Sequence, residues 1–315
     1  MSDKIKRVIL AGGSGFLGQA LAAYFLEAGW AVVILTRSPQ ATGGPFREVA
    51  WDARNLGAWQ SELEGATAVV NLTGKSVDCR YSARNRKEIL DSRVNSTRVM
   101  GEAIGRCAQA PQAWLNASTA TIYKHTFAGP WDESGEICAT REAKDEFSLE
   151  VARAWERPLD EAQTSDTRKI TMRMTMVLGM GKNSVFPVLR RLVRFGLGGK
   201  MGSGRQFVSW IHELDFCRAV EWLIMNKDFL GPVNIAAPNP LSNDEMMKTL
   251  RQVCGVPIGL PATSWMLEVG AFFLRTETEL IIKSRRVIPG RLVDSGFQFR
   301  FPTIREAFED LSNRG

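Results

Sequence analysis

Histidine is nearly absent from this chain of 315 residues, which carries only His125 and His212. With no HExxH pair and no comparable cluster, the side chains that usually hold a catalytic metal are missing. Cysteine is sparse and odd in number: Cys79, Cys107, Cys138, Cys217 and Cys254 are scattered with no CxxC pair. That pattern argues against a disulfide framework and against a zinc site. Long apolar runs are missing too. The most apolar late segment, Trp265 to Leu274, is too short to span a bilayer and contains Glu268. The first apolar run is a short strand that flows into glycines, so no signal peptide is expected and the reading is a cytoplasmic protein. The net charge of +6 is spread along the chain. It forms no basic patch with interleaved aromatics, so neither a nucleic-acid nor a membrane partner is expected.

What is present begins with Val8-Ile9-Leu10-Ala11, which leads into Gly12-Gly13-Ser14-Gly15-Phe16-Leu17-Gly18 and then into a helical pattern. A strand, a glycine turn and a helix in that order suit a dinucleotide's pyrophosphate, because residues without a Cβ let backbone N–H groups approach phosphate at a helix N-terminus. Gly12 makes the tight turn in this reading, Gly15 permits the close approach, and Gly18 lets the helix pack on the sheet. Leu17, Leu21, Tyr24, Phe25 and Ala28 recur at helical spacing, Gly29 ends the helix, and Trp30 to Leu35 reads as a second buried strand. Thr36-Arg37 follows, where such a fold presents the adenosine ribose. A guanidinium there pairs with a 2′-phosphate, whereas an acid would bind a free hydroxyl, so Arg37 favours NADP over NAD.

Further strands are expected at Glu48–Asp52, Ala66–Gly74, Ala113–Thr119, Lys169–Leu178, Phe207–His212 and Val233–Ala237. Helices are expected at 83–108, 145–162, 185–195, 215–225, 244–254, 265–275 and 304–311. The alternation predicts an α/β, doubly wound parallel-sheet Rossmann fold with a smaller, mainly helical C-terminal lobe. Residues 1–178 with about 206–238 form the nucleotide-binding domain in this division, and 179–205 with 239–315 form a substrate-cleft lobe. Asn71-Leu72-Thr73-Gly74 falls at a strand's carboxyl edge, where Gly74 keeps room for the cofactor. Ser118 ends another strand, Tyr123 follows it, and the polar stretch from His125 to Arg141 suits a lid.

The combined motifs Gly12-Gly13-x-Gly15-x-x-Gly18, Asn71-Leu-Thr-Gly74, Asp91-Ser-Arg-Val-Asn95, Gly196-Leu-Gly-Gly199, Gly202-Ser-Gly-Arg-Gln206 and Ser209-Trp-Ile-His212 resemble those of the atypical short-chain dehydrogenase/reductases of the nucleoside-diphosphate-sugar epimerase-like family. Arg286-Val-Ile-Pro289 and Ser295 to Pro302 resemble the short domain that closes those proteins. The resemblance implies an extended-type Rossmann fold that binds NADP(H). The cofactor residues it implies are Gly12, Ser14, Gly15, Phe16, Leu17 and Gly18 in the turn, then Thr36, Arg37, Leu72, Thr73, Gly74, Glu88, Arg93 and Val177.

One departure concerns catalysis. Short-chain dehydrogenases use a Tyr four residues before a Lys, the phenol passing a proton while the ammonium lowers its pKa. Here Tyr24, Tyr81 and Tyr123 are followed four residues on by Ala28, Asn85 and Phe127, and the matching segment reads Phe147-Ser-Leu-Glu-Val151. Ser118, Tyr123 and His212 are the candidates to replace the pair, Ser118 or Tyr123 polarising the substrate oxygen. Two functions are therefore expected as alternatives. One is an NADP-dependent oxidoreductase or epimerase acting on a small molecule as a monomer or homodimer; the other is an NADP(H)-binding redox sensor without turnover.

Overall fold

The computed structural model describes residues 5–40, 46–143, 145–262 and 283–315. The expected helix at 265–275 lies outside them. In chain order the strands are β1 (Arg7–Ala11), β2 (Ala31–Thr36), β3 (Arg47–Ala50), β4 (Ala68–Asn71), β5 (Ala113–Thr119), β6 (Arg168–Met174), β7 (Met176–Leu178), β8 (Phe207–Val208), β9 (Trp210–His212), β10 (Gly231–Ile235) and β11 (Leu241–Ser242). The helices are α1 (Phe16–Glu27), α2 (Ala83–Gly105), α3 (Glu146–Glu161), α4 (Val185–Arg194), α5 (Glu213–Met225), α6 (Asn243–Val253), α7 (Gly290–Asp294) and α8 (Ile304–Asn313).

Seven strands form one sheet in the order β10-β6-β5-β4-β1-β2-β3, and every pairing within it is parallel. A parallel sheet covered on both faces needs strands that are apolar on both sides, which the run Val8 to Ala11 supplies. Val8, Leu10, Ile34, Leu115 and Met172 face Phe25 of α1 and Phe216 and Val220 of α5. Ile9, Leu35, Val69 and Trp114 face Val99, Met100 and Ala103 of α2 and Leu159 of α3. A third core joins Leu178, Phe186, Trp210, Met247 and Phe308 and gathers α4, α6 and α8. Capping boxes start two of those helices, Ser242 with Glu245 on α6 and Thr303 with Glu306 on α8. Among the described residues no helix is long and apolar enough to cross a membrane.

Strand order reverses at β1, which has β2 on one side and β4 on the other. The carboxyl ends of β1 and β4 therefore open the crevice where doubly wound sheets hold ligands. Two expected strands are each divided in two. The run read as Lys169–Leu178 breaks at Thr175, whose N–H and Oγ1 both donate to the Ile235 carbonyl. That leaves β6 in the large sheet, while β7 pairs with β9. Likewise Phe207–His212 splits into β8, paired with β11, and β9.

The glycine turn is packed backbone against backbone. A methyl group on Gly18 would overlap the main chain of Gly13, and one on Gly13 would come within 2.7 Å of Ile34 Cγ2. Gly18 thus lets α1 sit on the turn, and Gly13 lets the turn sit on the sheet. Gly18→Ala is expected to destabilise the protein by about 1–3 kcal/mol through overpacking. A denaturant melt that leaves the midpoint unchanged would rule out that close contact.

Candidate functional site

The turn after β1 holds its shape through main-chain groups. Gly12 adopts φ +76°, and its N–H donates to the Leu35 carbonyl at 3.2 Å, while the Gly15 N–H donates to Gly12 O at 3.2 Å. The Gln19 amide donates to Gly13 O at 2.7 Å. Gly15 is the N-cap of α1 and provides no side-chain cap, and the first turn has no acidic residue. A Cβ on Gly15 would meet no protein atom nearer than Gly12 O at 3.6 Å. Packing therefore does not explain that glycine, whereas close approach of an anion to an uncapped helix N-terminus does.

Ser14 and Gly15 are exposed, and Phe16 turns its ring toward Gly179 and Gly181, where an added Cβ would collide with it. Thr36 is buried at the end of β2 and its carbonyl accepts from Trp51 N–H. Arg37 stands exposed just beyond, close to the turn because neighbouring Leu35 bonds Gly12. No carboxylate among the described residues forms an ion pair with Arg37.

At the end of β4, Asn71 is fully buried. Its amide donates to Asn116 Oδ1 at 2.8 Å and its carbonyl oxygen accepts from Thr73 N–H at 3.1 Å. The adjacent Leu72 N–H donates to Ala11 O at 2.9 Å. These bonds fix Leu72, Thr73 and Gly74 beside the glycine turn. A Cβ on Gly74 would lie 3.1 Å from Arg93 Cζ, so the protein itself already uses the room that glycine leaves.

Arg93, from the middle of α2, is buried at 8 % exposure. Its Nη1 donates to the carbonyls of Lys75 at 2.9 Å and Ile89 at 3.1 Å, its guanidinium lies 4.6 Å from the Trp155 ring, and its Nε has no partner. Burial lowers its pKa to about 10, which leaves it charged at neutral pH. Glu88, placed by the same motif, lies nearer the surface. Hydrogen bonds from Lys75 and Arg84 hold its pKa down to about 2. Val177 sits on β7 in register with Ile211 of β9.

Arg93 borders a cavity of about 230 Å³ lined by Val77, Tyr81 and Ile89 from one side and Ser118, Thr119 and Thr121 from the end of β5. Phe147, Val151 and Trp155 of α3 complete much of the wall. They are spaced four residues apart and so share one face of that helix. The Thr119 hydroxyl donates to Thr121 Oγ1 at 2.9 Å. Thr119, Tyr81 and Trp155 are site residues that the sequence alone did not single out. Thr119 is the last residue of β5, at the carboxyl edge where ligands are held, but nothing local marks the other two.

Ser118 and Tyr123 prove to be differently engaged. The Ser118 hydroxyl donates to Glu156 Oε1 at 2.6 Å, and Glu156 also accepts from Arg173 at 3.0 and 2.9 Å. Arg173 donates to the Tyr123 hydroxyl at 3.0 Å, which in turn donates to Asn234 Oδ1 at 2.8 Å. Tyr123 is buried away from the cavity, and burial raises its pKa. Both hydroxyls thus belong to one hydrogen-bonded network with Glu156, Arg173 and Asn234, and Ser118 also lines the cavity. His212 is likewise enclosed. Its Nδ1 accepts from Leu214 N–H at 3.0 Å and caps α5, leaving Nε2 to donate to Asp310 at 3.1 Å. Burial lowers its pKa to about 4, so the ring is neutral at physiological pH.

The stretch expected to be a lid is tied down in its middle. Trp131 N–H donates to Arg286 O at 2.7 Å and Trp131 O accepts from Ile288 N–H at 2.9 Å. Glu133 accepts from the N–H groups of Asn234 and Arg291. It is a strap joining the sheet to the C-terminal segment.

Comparison with known proteins agrees with this architecture. Residues 8–236 match the NAD dependent epimerase/dehydratase family, and residues 262–311 match a domain of unknown function, DUF1731. The chain is 29 % identical to the epimerase family protein YfhF of Bacillus subtilis over 96 % of this chain and 97 % of that one. It superposes on human epimerase family protein SDR39U1, whose crystal structure is with NADPH, at a TM-score of 0.86 and 27 % identity, covering 98 % of this chain and 100 % of that one. At 18 % identity and a TM-score of 0.76, covering 98 % of this chain and 99 % of the other, the UDP-N-acetylglucosamine 4-epimerase of Bacillus cereus shares the fold. With the family pattern extending over most of its length, and the glycine turn, the β4 edge and the cavity assembled as described, the chain belongs to the NAD dependent epimerase/dehydratase family.

Proposed function

We propose that this chain binds NADPH along the glycine turn and acts in the adjoining cavity as an oxidoreductase or epimerase-like enzyme on a carbonyl or alcohol of a small substrate, nucleotide-sugar-like compounds included. The observation that carries the reading is the convergence of an uncapped α1 N-terminus, an exposed Arg37 and a cavity bordered by Arg93 at the carboxyl ends of β1, β4 and β5. Backbone N–H groups of Phe16 and Leu17 take the pyrophosphate, and Arg37 takes the 2′-phosphate. NADPH in the crystal structure of the human relative supports the cofactor's identity. When bound, the reduced nicotinamide supplies a hydride. This chain's part is to orient it with Thr73, Gly74 and Arg93, and to keep water out with Phe147, Val151 and Trp155.

The second reading, an NADP(H)-binding sensor without turnover, draws on the same helix. Phe147 and Val151 stand on the cavity face of α3, at the two positions where the Tyr-x-x-x-Lys pair is expected by resemblance. The hydroxyls of Thr119 and Thr121 and the buried cation favour chemistry, because a site built only to sense a cofactor has no need of polar groups around a separate cavity.

Arg37→Ala should weaken NADPH about 10- to 100-fold, the worth of a charge-assisted hydrogen bond, and leave NADH nearly unchanged in a fluorescence titration. Equal losses for the two cofactors would remove the 2′-phosphate role. Gly15→Ala should weaken both cofactors while the denaturation midpoint stays within about 0.5 kcal/mol; a parallel loss of stability would mean that packing, not phosphate, needs the glycine. The full chain with NADPH and a panel of carbonyls and nucleotide sugars should show loss of the reduced cofactor's absorbance with at least one of them. Silence across the panel with intact NADPH binding would favour the sensor.

A further inference from the structure

Three tyrosines are present, and the structure separates them by environment. The Tyr24 hydroxyl donates to Glu221 at 2.5 Å on the α1–α5 side of the sheet, and burial raises its pKa. Tyr123 is enclosed between Arg173 and Asn234. Tyr81 alone of the three lines the cavity. Its ring meets Phe147 edge-on at a centroid distance of 4.9 Å, so it lies against the side chain at the position where the family's phenol is expected. The other described lining residues are apolar side chains, hydroxyls and Arg93, with no carboxylate, imidazole or amine among them. Arg86 Cζ is 5.9 Å from the Tyr81 ring, and Arg93 lines the same cavity as the phenol.

We propose that Tyr81, from the segment leading into α2, is the proton donor and acceptor of this site, with Arg93 as the cation that stabilises its phenolate. The inference rests on the proposed hydride chemistry and assigns its missing acid. The two residues divide the labour of the Tyr-x-x-x-Lys pair but come from a loop and a helix other than α3. As the carbonyl carbon receives the hydride, the C=O π electrons move onto oxygen, and that oxygen takes the proton from Tyr81 Oη. The phenolate so formed is stabilised by the positive charge of Arg93, which lines the same cavity and keeps its own proton, and it is reprotonated by water. In the oxidative direction the phenolate accepts the alcohol proton as hydride leaves carbon. Arg93 suits this role because it is buried without a carboxylate partner among the described residues. Because Arg93 is buried, its charge acts at greater strength than in water.

The test combines kinetics with a measurement that needs no substrate. With the best carbonyl of the panel, Tyr81→Phe should lower kcat by about 10²- to 10⁴-fold while NADPH affinity changes less than about threefold, and Tyr123→Phe should leave kcat within about tenfold. A Tyr81→Phe enzyme that keeps its kcat overturns the proposal. Independently, tyrosinate absorbance of the full chain is followed between about pH 8 and 11. Tyr24 and Tyr123 are pushed up by burial, so the first ionisation should disappear in Tyr81→Phe and move to higher pH in Arg93→Gln. A step that survives Tyr81→Phe, or that Arg93→Gln does not move, overturns the pairing even if no panel substrate reacts. Failure of NADPH to bind the unaltered chain would instead defeat the functional reading on which the pairing rests.

Discussion

The contact on which the site depends is one between two stretches of backbone. Gly18 in the first turn of α1 lies against Gly13, and Gly13 lies against Ile34 of β2. With no side chain in either gap, the helix starts directly above the end of the sheet, and its unbonded N–H groups face the crevice at the point where strand order reverses. The neighbouring edge is drawn to the same place by Leu72 N–H bonding Ala11 O and by Asn71 holding Thr73. A bulkier turn would lift α1 and take both the dipole and the N–H groups away from the β4 edge. Gly15, where an added Cβ would meet only Gly12 O at 3.6 Å, is the one glycine of the turn that packing does not require.

A second constraint runs across the face of the sheet that meets α3. Ser118, Arg173 and Asn234 stand side by side on β5, β6 and β10. A guanidinium buried in a sheet costs several kcal/mol unless it is paired and its donors are used. Glu156 supplies the carboxylate, and Ser118, Tyr123 and Asn234 satisfy the remaining groups. From Asn234 the network passes to the Ile288 carbonyl, and from its backbone N–H to Glu133 and on to Arg291. The C-terminal segment is therefore anchored to the central sheet by the same bonds that compensate Arg173. Those bonds also commit the two hydroxyls whose place in the sequence suggested proton transfer.

The glycine turn, the parallel strands and most helix positions were legible because each leaves a local mark: a Cβ-free run, a continuous apolar stretch, or a helical repeat. The breaks at Thr175 and Ser209 were not, because the apolar pattern continues while the pairing partner changes from one sheet to another, a choice made by distant β9, β10 and β11. Arg37 came from its place after β2 and Arg93 from the family resemblance; the first is exposed and the second buried. Ser118 was read at the right strand end, but which groups await its hydroxyl depends on Glu156, 38 residues away. Tyr81 left no mark at all. Its significance arises only when the loop before α2 folds over the cavity and meets Phe147.

Helix α3 sorts two buried cations by means of adjacent residues. Trp155 turns to Arg93 and Glu156 turns to Arg173. The aromatic face offers Arg93 a weak attraction that leaves its charge intact, whereas the carboxylate neutralises Arg173. Phe147 and Val151, respectively two turns and one turn before Trp155, extend the same apolar face, so α3 presents the cavity with no anion. A fold that provides a counter-charge for one guanidinium, and none for the other among the described residues, leaves the second as a fixed positive potential beside the cavity. Such a potential favours whatever negative charge develops beside it, and costs no reorganisation at the moment it is needed. An alkoxide or phenolate formed during proton transfer is such a charge, and this makes Arg93, without a carboxylate partner among the described residues, the strongest structural argument for chemistry over cofactor sensing.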